Sequence, residues 1–193
     1  MVGSMDNIKD IEKSEQDKYR RMYNVDSYKV NSPALRQIHI LKGIAEHIKA
    51  KRILDTGCGT GRALKEFIDD GYDAIGIDIT NNAHINEVDN HVLCIPIHRY
   101  KSEAYDFIYC VDVMEHIPEP LIDLTLENLS KLCGKIIYFD IALFHDPFGQ
   151  IIGEELHPSI FNSNVWQEKV SKYFKIIKIL GDNNKLSIIC KRK

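Results

Sequence analysis

Hydrophobic and polar positions along this chain fall into two alternating rhythms. Ala34, Leu35, Ile38, Leu41, Ala45 and Ile48 recur at helical spacing behind Ser32 and Pro33. Ser32 suits an N-cap and Pro33 a first helical turn, so residues 33–50 are predicted to form an amphipathic helix. KRILDTG (51–57), DAIGIDI (73–79), HVLCIPI (91–97), YDFIYCVDV (105–113) and KIIYFDIALF (135–144) are short apolar runs without strict alternation, and read as buried strands. Between them, GRALKEFIDDG (61–71) places Leu64, Phe67 and Ile68 on one helical face and stops at Gly71. Residues 118–134 place Ile122, Leu126, Leu129 and Cys133 on one face, with Gly134 as the stop. Residues 162–174 read as a last helix, and 175–192 as a hairpin turning at Asp182–Asn184. Residues 5–18 are polar and weakly patterned, and read as a frayed or mobile arm; MVGSM at the start reads as an appended scar ahead of Met5.

Helices alternating with two-faced strands predict an α/β fold: a doubly wound, mostly parallel, seven-stranded Rossmann-like sheet with an antiparallel C-terminal hairpin strand and an N-terminal helical extension. Residues 33–193 form one domain in this reading, and residues 1–32 an N-terminal arm and possible lid.

Composition changes this picture little. The chain has 193 residues, 44% hydrophobic and 27% charged, with a net charge of −3. That balance argues against nonspecific nucleic-acid binding, and no apolar run is long enough to span a bilayer. A cytoplasmic location is expected, with no membrane span. The five cysteines are scattered and contain no CxxC, so reduced thiols are expected rather than a disulfide or zinc framework.

The informative stretch is ILDTGCGTG (53–61), where three alternate glycines follow a strand and open a helix. In doubly wound sheets ligands bind there, and glycines let the backbone come close to them. Asp78 closes the next strand, where a carboxylate accepts both ribose hydroxyls. The G-x-G-x-G spacing departs from the dinucleotide G-x-G-x-x-G, and Asp55 sits badly beside a pyrophosphate. A nucleoside ligand without phosphates suits the site better.

On these residues the chain resembles the class I S-adenosylmethionine-dependent methyltransferases. ILDTGCGTG is similar to their first motif, GIDI to the second-strand acid, and YDFIYCVDVMEHIPEP to the fourth-strand motif of the ubiquinone-biosynthesis-like subgroup. LHPSIFNSNVWQEKVSKYFKIIKI is similar to that subgroup's late histidine-plus-helix segment. The resemblance implies that Asp55, Gly57, Cys58 and Gly59 hold the methionine part, Asp78 the ribose, and Ile79 the adenine. Asp112, Val113 and His116 would border the methionine and the transfer site. The adenine amino contact stays open between Asp89, Asn90 and a backbone group of HVLCI.

Methyl transfer from a sulfonium needs an aligned acceptor, excluded water and, for a hydroxyl, a proton acceptor. His157, His116 and His145, with Asp146, are the candidates, and His157 is preferred because the resemblance lays its loop over the methyl group. Metal is not expected, since His145, Asp146 and His157 lack ligand spacing. Tyr19, Met22, Tyr23 and Tyr28 read equally as a lid or as packing, and Trp166 as acceptor-lining or core. Lys/Arg runs with interleaved aromatics and an N-P-P-Y tetrad are missing. The expected reaction is therefore transfer to a small-molecule acceptor, on a hydroxyl. A noncatalytic methyltransferase-like scaffold is the alternative from another class, and a nicotinamide dehydrogenase ranks below both.

Overall fold

The computed structural model describes residues 5–193; the segment before Met5 lies outside the described residues. Strands β1 (Arg52–Thr56), β2 (Asp73–Asp78), β3 (Val92–Cys94), β4 (Tyr105–Val111), β5 (Cys133–Ala142), β6 (Phe174–Gly181) and β7 (Lys185–Arg192) form one sheet, in the order β3-β2-β1-β4-β5-β7-β6. The first five pair in parallel, whereas β7 runs antiparallel to both β5 and β6.

Both faces of the central strands are buried, which is why their sequences lack alternation. Ile53, Phe107, Tyr109 and Tyr138 face a core layer with Leu41 and Phe67. Leu54, Ile108, Ile137 and Phe139 face the opposite layer with Ile122, Leu126, Leu129 and Trp166. Each such fully buried large side chain contributes about 1.5–3 kcal/mol. The first layer comes from α4 (Ile38–His47) and α5 (Arg62–Asp69), the second from α6 (Glu119–Leu132) and α7 (Ser163–Tyr173). Trp166 is core, not cleft.

Four expectations are corrected. Residues 5–18 are not frayed: Met5–Met22 form α1, an 18-residue helix. Its own sequence is a poor helix signal, but Tyr19 and Met22 bury against Leu156 and so supply the order from tertiary contacts. The helix expected over 33–50 is interrupted. After the short turn α2 (Asp26–Lys29), α3 (Pro33–Arg36) ends at Gln37, whose φ of −105° and ψ of 11° break it from α4. The Gln37 side chain is drawn into the sheet, where its Nε2 donates to Asp140 Oδ2 at 2.6 Å. Gly134 lies inside β5 rather than ending α6. The third strand keeps only three of its predicted residues. No helix among the described residues is long and apolar enough to cross a membrane.

Candidate functional site

Strands β1, β2 and β4 all end at one edge of the sheet, and the turn after β1 is built for close approach. Gly57 has φ +69°, and a Cβ there would meet Val113 Cγ2 at 2.5 Å. Gly59 has φ +52°, and a Cβ there would meet the Tyr23 hydroxyl at 2.7 Å. Only glycine fits such positions without strain. Asp78 pins the turn from the next strand: its Oδ2 accepts from the Gly59 N–H at 2.9 Å and its Oδ1 from the Thr80 N–H at 3.0 Å. Burial pushes the Asp78 carboxyl up, and these donors oppose the shift.

Asp55 sits in β1 with 3% exposure, beneath the turn. Its Oδ2 and the Tyr109 hydroxyl are buried without hydrogen-bond partners. Burial, reinforced by the Asp78 charge, pushes the Asp55 carboxyl up to about 8, with Tyr109 beside it only a partial offset.

Two cavities open here. The first, about 120 Å³, runs from Gly57 past Asp78 and Ile79 to Pro96 and His98. The second, about 300 Å³, runs from Cys58 and Gly59 past Tyr28 and Phe148 to Phe144 and His157. They share Tyr23, Tyr28, Gly57, Asp112 and His116, so they meet at the end of β4. Asp112 there adopts φ +52°, an uncommon conformation for a residue with a side chain.

The fourth-strand motif and the late loop converge beyond Asp112. His116 and His157 stack edge to face with ring centroids 4.4 Å apart. The His157 Nδ1 lies 2.6 Å from the Phe144 carbonyl and the His116 Nδ1 lies 2.8 Å from the Leu156 carbonyl. A carbonyl only accepts, so each Nδ1 donates there, and the His157 Nε2 faces Asp146 Oδ2 at 3.8 Å. Burial, with His157 alongside, lowers His116 to about 3. Glu115 is fully buried; its Oε1 accepts from the Ala142 N–H at 2.8 Å and its Oε2 has no partner. Burial, then the Asp112 charge, pushes its carboxyl well up. One ligand atom each from Glu115, His116 and His157 lie within 4.8 Å of one another, a two-histidine, one-carboxylate donor set that could hold a divalent cation. Glu115 and His116 are neighbours in the chain, but His157 comes from a distant loop, which hid this set from spacing arguments.

The predicted residues distribute unevenly. Gly57, Asp78, Ile79, Asp112, Val113 and His116 line the first cavity, and Cys58, Gly59 and His157 the second; Asp55 lines neither. His145 points outward, its side chain 77% exposed and 3.1 Å from Glu155. Asp89 pairs with His84 at 3.0 Å. Neither it nor Asn90 reaches the first cavity, whose far rim is formed by Glu12 and Glu15 of α1. Sequence reasoning missed those two acids, because nothing in a polar helix signals where it docks. Helix α1 lies across the mouth: Gln16 Nε2 donates to the Ile79 carbonyl at 3.0 Å, and Glu12 bonds both His98 Nε2 and Arg99 Nε at 2.5 Å. The Tyr19 hydroxyl lies 2.6 Å from His116 Nδ1.

Comparison with known proteins agrees with this geometry. A methyltransferase-domain family matches residues 30–143, more than half of the chain. The ubiquinone biosynthesis O-methyltransferase of Acinetobacter baylyi is 32% identical over 125 residues, covering 55% of this chain and 52% of the relative. This chain thus spans about half the length of that curated relative. The structure of the Burkholderia thailandensis 1,6-didemethyltoxoflavin-N1-methyltransferase, with 1,6-didemethyltoxoflavin and S-adenosylhomocysteine bound, superposes with a TM-score of 0.72 at 14% identity, covering 100% of this chain and 92% of that one. The N-methyltransferase NodS of Bradyrhizobium japonicum superposes with a TM-score of 0.66 at 12% identity, covering 92% and 98%. The chain belongs to the methyltransferase-domain family, in the class I fold of the S-adenosylmethionine-dependent enzymes.

Proposed function

We propose that the chain is an S-adenosylmethionine-dependent methyltransferase acting on a hydroxyl of a small, ring-bearing acceptor. The observation that carries this reading is the meeting of the two cavities at Gly57, Asp112 and His116. The narrow cavity has the features a donor nucleoside needs: a glycine turn with no room for side chains, and a buried carboxylate at the end of β2. When bound, S-adenosylmethionine supplies an activated methyl group open to in-line displacement. Asp78 would accept from the ribose hydroxyls, Ile79 would pack on the adenine, and Gly57, Asp112 and Val113 would enclose the methionine part. Asp55 lines no cavity and would support the turn from below.

The wider cavity is at the small end of the range for ligand sites, roughly 300–1,000 Å³. That size suits one substituted ring, and Tyr28, Phe144 and Phe148 offer apolar faces for it. His157 would take the acceptor's proton on Nε2, since its Nδ1–H is committed to Phe144. His116 stays neutral beside it, and the tyrosines of the N-terminal arm exclude water. Residues 1–32 would then serve as a lid.

Calorimetric titration with S-adenosylmethionine and S-adenosylhomocysteine tests the donor site. Wild type should bind both. Asp78→Ala should weaken binding tenfold or more, about 1.4 kcal/mol. Asp78→Asn, which keeps an acceptor for the Gly59 N–H, separates ribose contact from turn support. Radiolabelled methyl transfer into a metabolite extract then distinguishes enzyme from scaffold: binding without transfer would favour the scaffold.

A second reading of the acceptor side is favoured by the unpartnered Glu115 oxygen and by ligand atoms of Glu115, His116 and His157 lying within 4.8 Å of one another. A divalent cation held by Glu115, His116 and His157 would polarise the acceptor hydroxyl. Transfer abolished by a chelator and restored by added Mg²⁺ or Zn²⁺ would assign the cluster to a cation rather than to a proton-accepting histidine.

A further inference from the structure

The C-terminal hairpin brings one cation to the place where the two cavities meet. Lys185 opens β7, and its backbone pairs with Ala142 at the end of β5. Its Nζ lies 2.5 Å from Asp112 Oδ1 and 3.1 Å from Asp140 Oδ2. Asp140 is 1% exposed and belongs to β5; its Oδ1 accepts from the Ser187 hydroxyl and its Oδ2 from Gln37. The Tyr138 hydroxyl donates to Gln37 Oε1 at 2.7 Å, which ties the α3–α4 break into the same network. The Asp112 backbone is held as well, its N–H donating to the Asp140 carbonyl at 2.9 Å.

The arrangement needs an explanation beyond packing. Two carboxylates converge next to a third, Glu115, and a side-chain-bearing residue is kept in the left-handed region. Either feature costs free energy unless its surroundings enforce it. Lys185 relieves both. Burial alone would lower its pKa, but Asp112 and Asp140 raise it, so it stays charged. Among the described residues, no other cation bonds Asp112.

We propose that Lys185 is a positioning residue for methyl transfer: through its ion pair it holds Asp112 in the backbone conformation that shapes the methionine end of the donor site. This rests on the donor assignment above. Lys185 does not line either cavity and acts only through Asp112. Its position at the start of an antiparallel edge hairpin means that the last strand of the fold, not only the glycine turn, sets the donor geometry.

The test compares Lys185→Met, Lys185→Arg, Asp112→Asn and the Lys185→Met/Asp112→Asn double variant by calorimetry with S-adenosylhomocysteine, and by transfer kinetics where activity is found. Lys185→Met should raise the donor Kd and the donor KM at least tenfold while kcat falls less than threefold. Lys185→Arg should stay within threefold of wild type, because it keeps the charge. The double variant should bind no more weakly than Asp112→Asn alone, since the lysine acts through that carboxylate. A folded Lys185→Met chain, judged by circular dichroism and a cooperative melt, that binds with wild-type affinity overturns the proposal. So does a double variant in which the two losses simply add. If Lys185→Met does not fold, the arginine variant decides: a tenfold loss there, despite retained charge and fold, also overturns it. Wild-type protein that binds no donor at all removes the methyltransferase reading itself, a result distinct from any of these.

Discussion

Asp55 shows how one residue can be conspicuous in sequence and different in behaviour once buried. Its place before the glycines marks it as part of the donor motif, but the structure sets it below the turn, with an unpartnered oxygen. An aspartate titrates near 3.9 in an unfolded chain. Here burial raises it to about 8, so between these values the folded chain holds a proton that the unfolded chain releases. The folded state therefore binds more protons, and stability falls as pH rises through this window. Across it the loss amounts to a few kcal/mol, at about 1.4 kcal/mol per unit. Asp55→Asn should lessen that slope: melts at pH 5, 7 and 9 should show wild type losing more stability than the variant, in which the Asp78 and Glu115 carboxyls are still pushed up. Equal slopes would mean that Asp55 is ionised in the folded protein. The glycines were legible because Gly57 and Gly59 have no substitute at their φ values. The proton on Asp55 was not, because it depends on burial and on the Asp78 and Tyr109 that the two neighbouring strands place near the carboxylate.

At the scale of elements, what could be read was whatever carried its own apolar period. Strands β1, β2, β4, β5 and β7 and helices α5, α6 and α7 all bury a pattern visible in the chain. Helix α1 was misread because its order comes from where it docks. Glu12 is its outer latch: burial alone would raise its pKa, but Arg99 and His98 lower it below the usual carboxylate value. The side chains of Glu12 and His98 are only 13% and 9% exposed, so this pair is better shielded than a surface ion pair. Glu12→Ala should leave the global melt nearly unchanged while loosening α1 by about 1 kcal/mol, roughly fivefold in the docked fraction. Limited proteolysis within residues 5–22 should speed up by that factor, and the rate of S-adenosylhomocysteine release should rise with it. Unchanged proteolysis would place the hold on α1 with Gln16 and Tyr19 instead.

For the whole molecule, the family match ends at residue 143, so it takes in the glycine turn, Asp78 and the end of β4 and stops short of the loop that carries Phe144 and His157. Binding that stabilises only the folded state raises stability by about 2.7 kcal/mol at a ligand concentration of 100 Kd. In a domain of this size each kcal/mol moves Tm by roughly 2–4 °C. Saturating S-adenosylhomocysteine should thus raise Tm by roughly 5–11 °C, and NADH should not; the reverse result would restore the dinucleotide alternative. The sequence by itself determined the α/β class, the succession of strands and helices along the chain, the glycine turn and the Asp78 that faces it. These are properties of local periodicity, of backbone angles only glycine tolerates, and of residues at strand ends. Only the tertiary structure decided which distant groups share the cleft: Glu115 with His116 and His157, Lys185 with Asp112, and α1 across the mouth. Those pairings arise where separate strand ends and loops meet, and no spacing along a single chain encodes such a meeting.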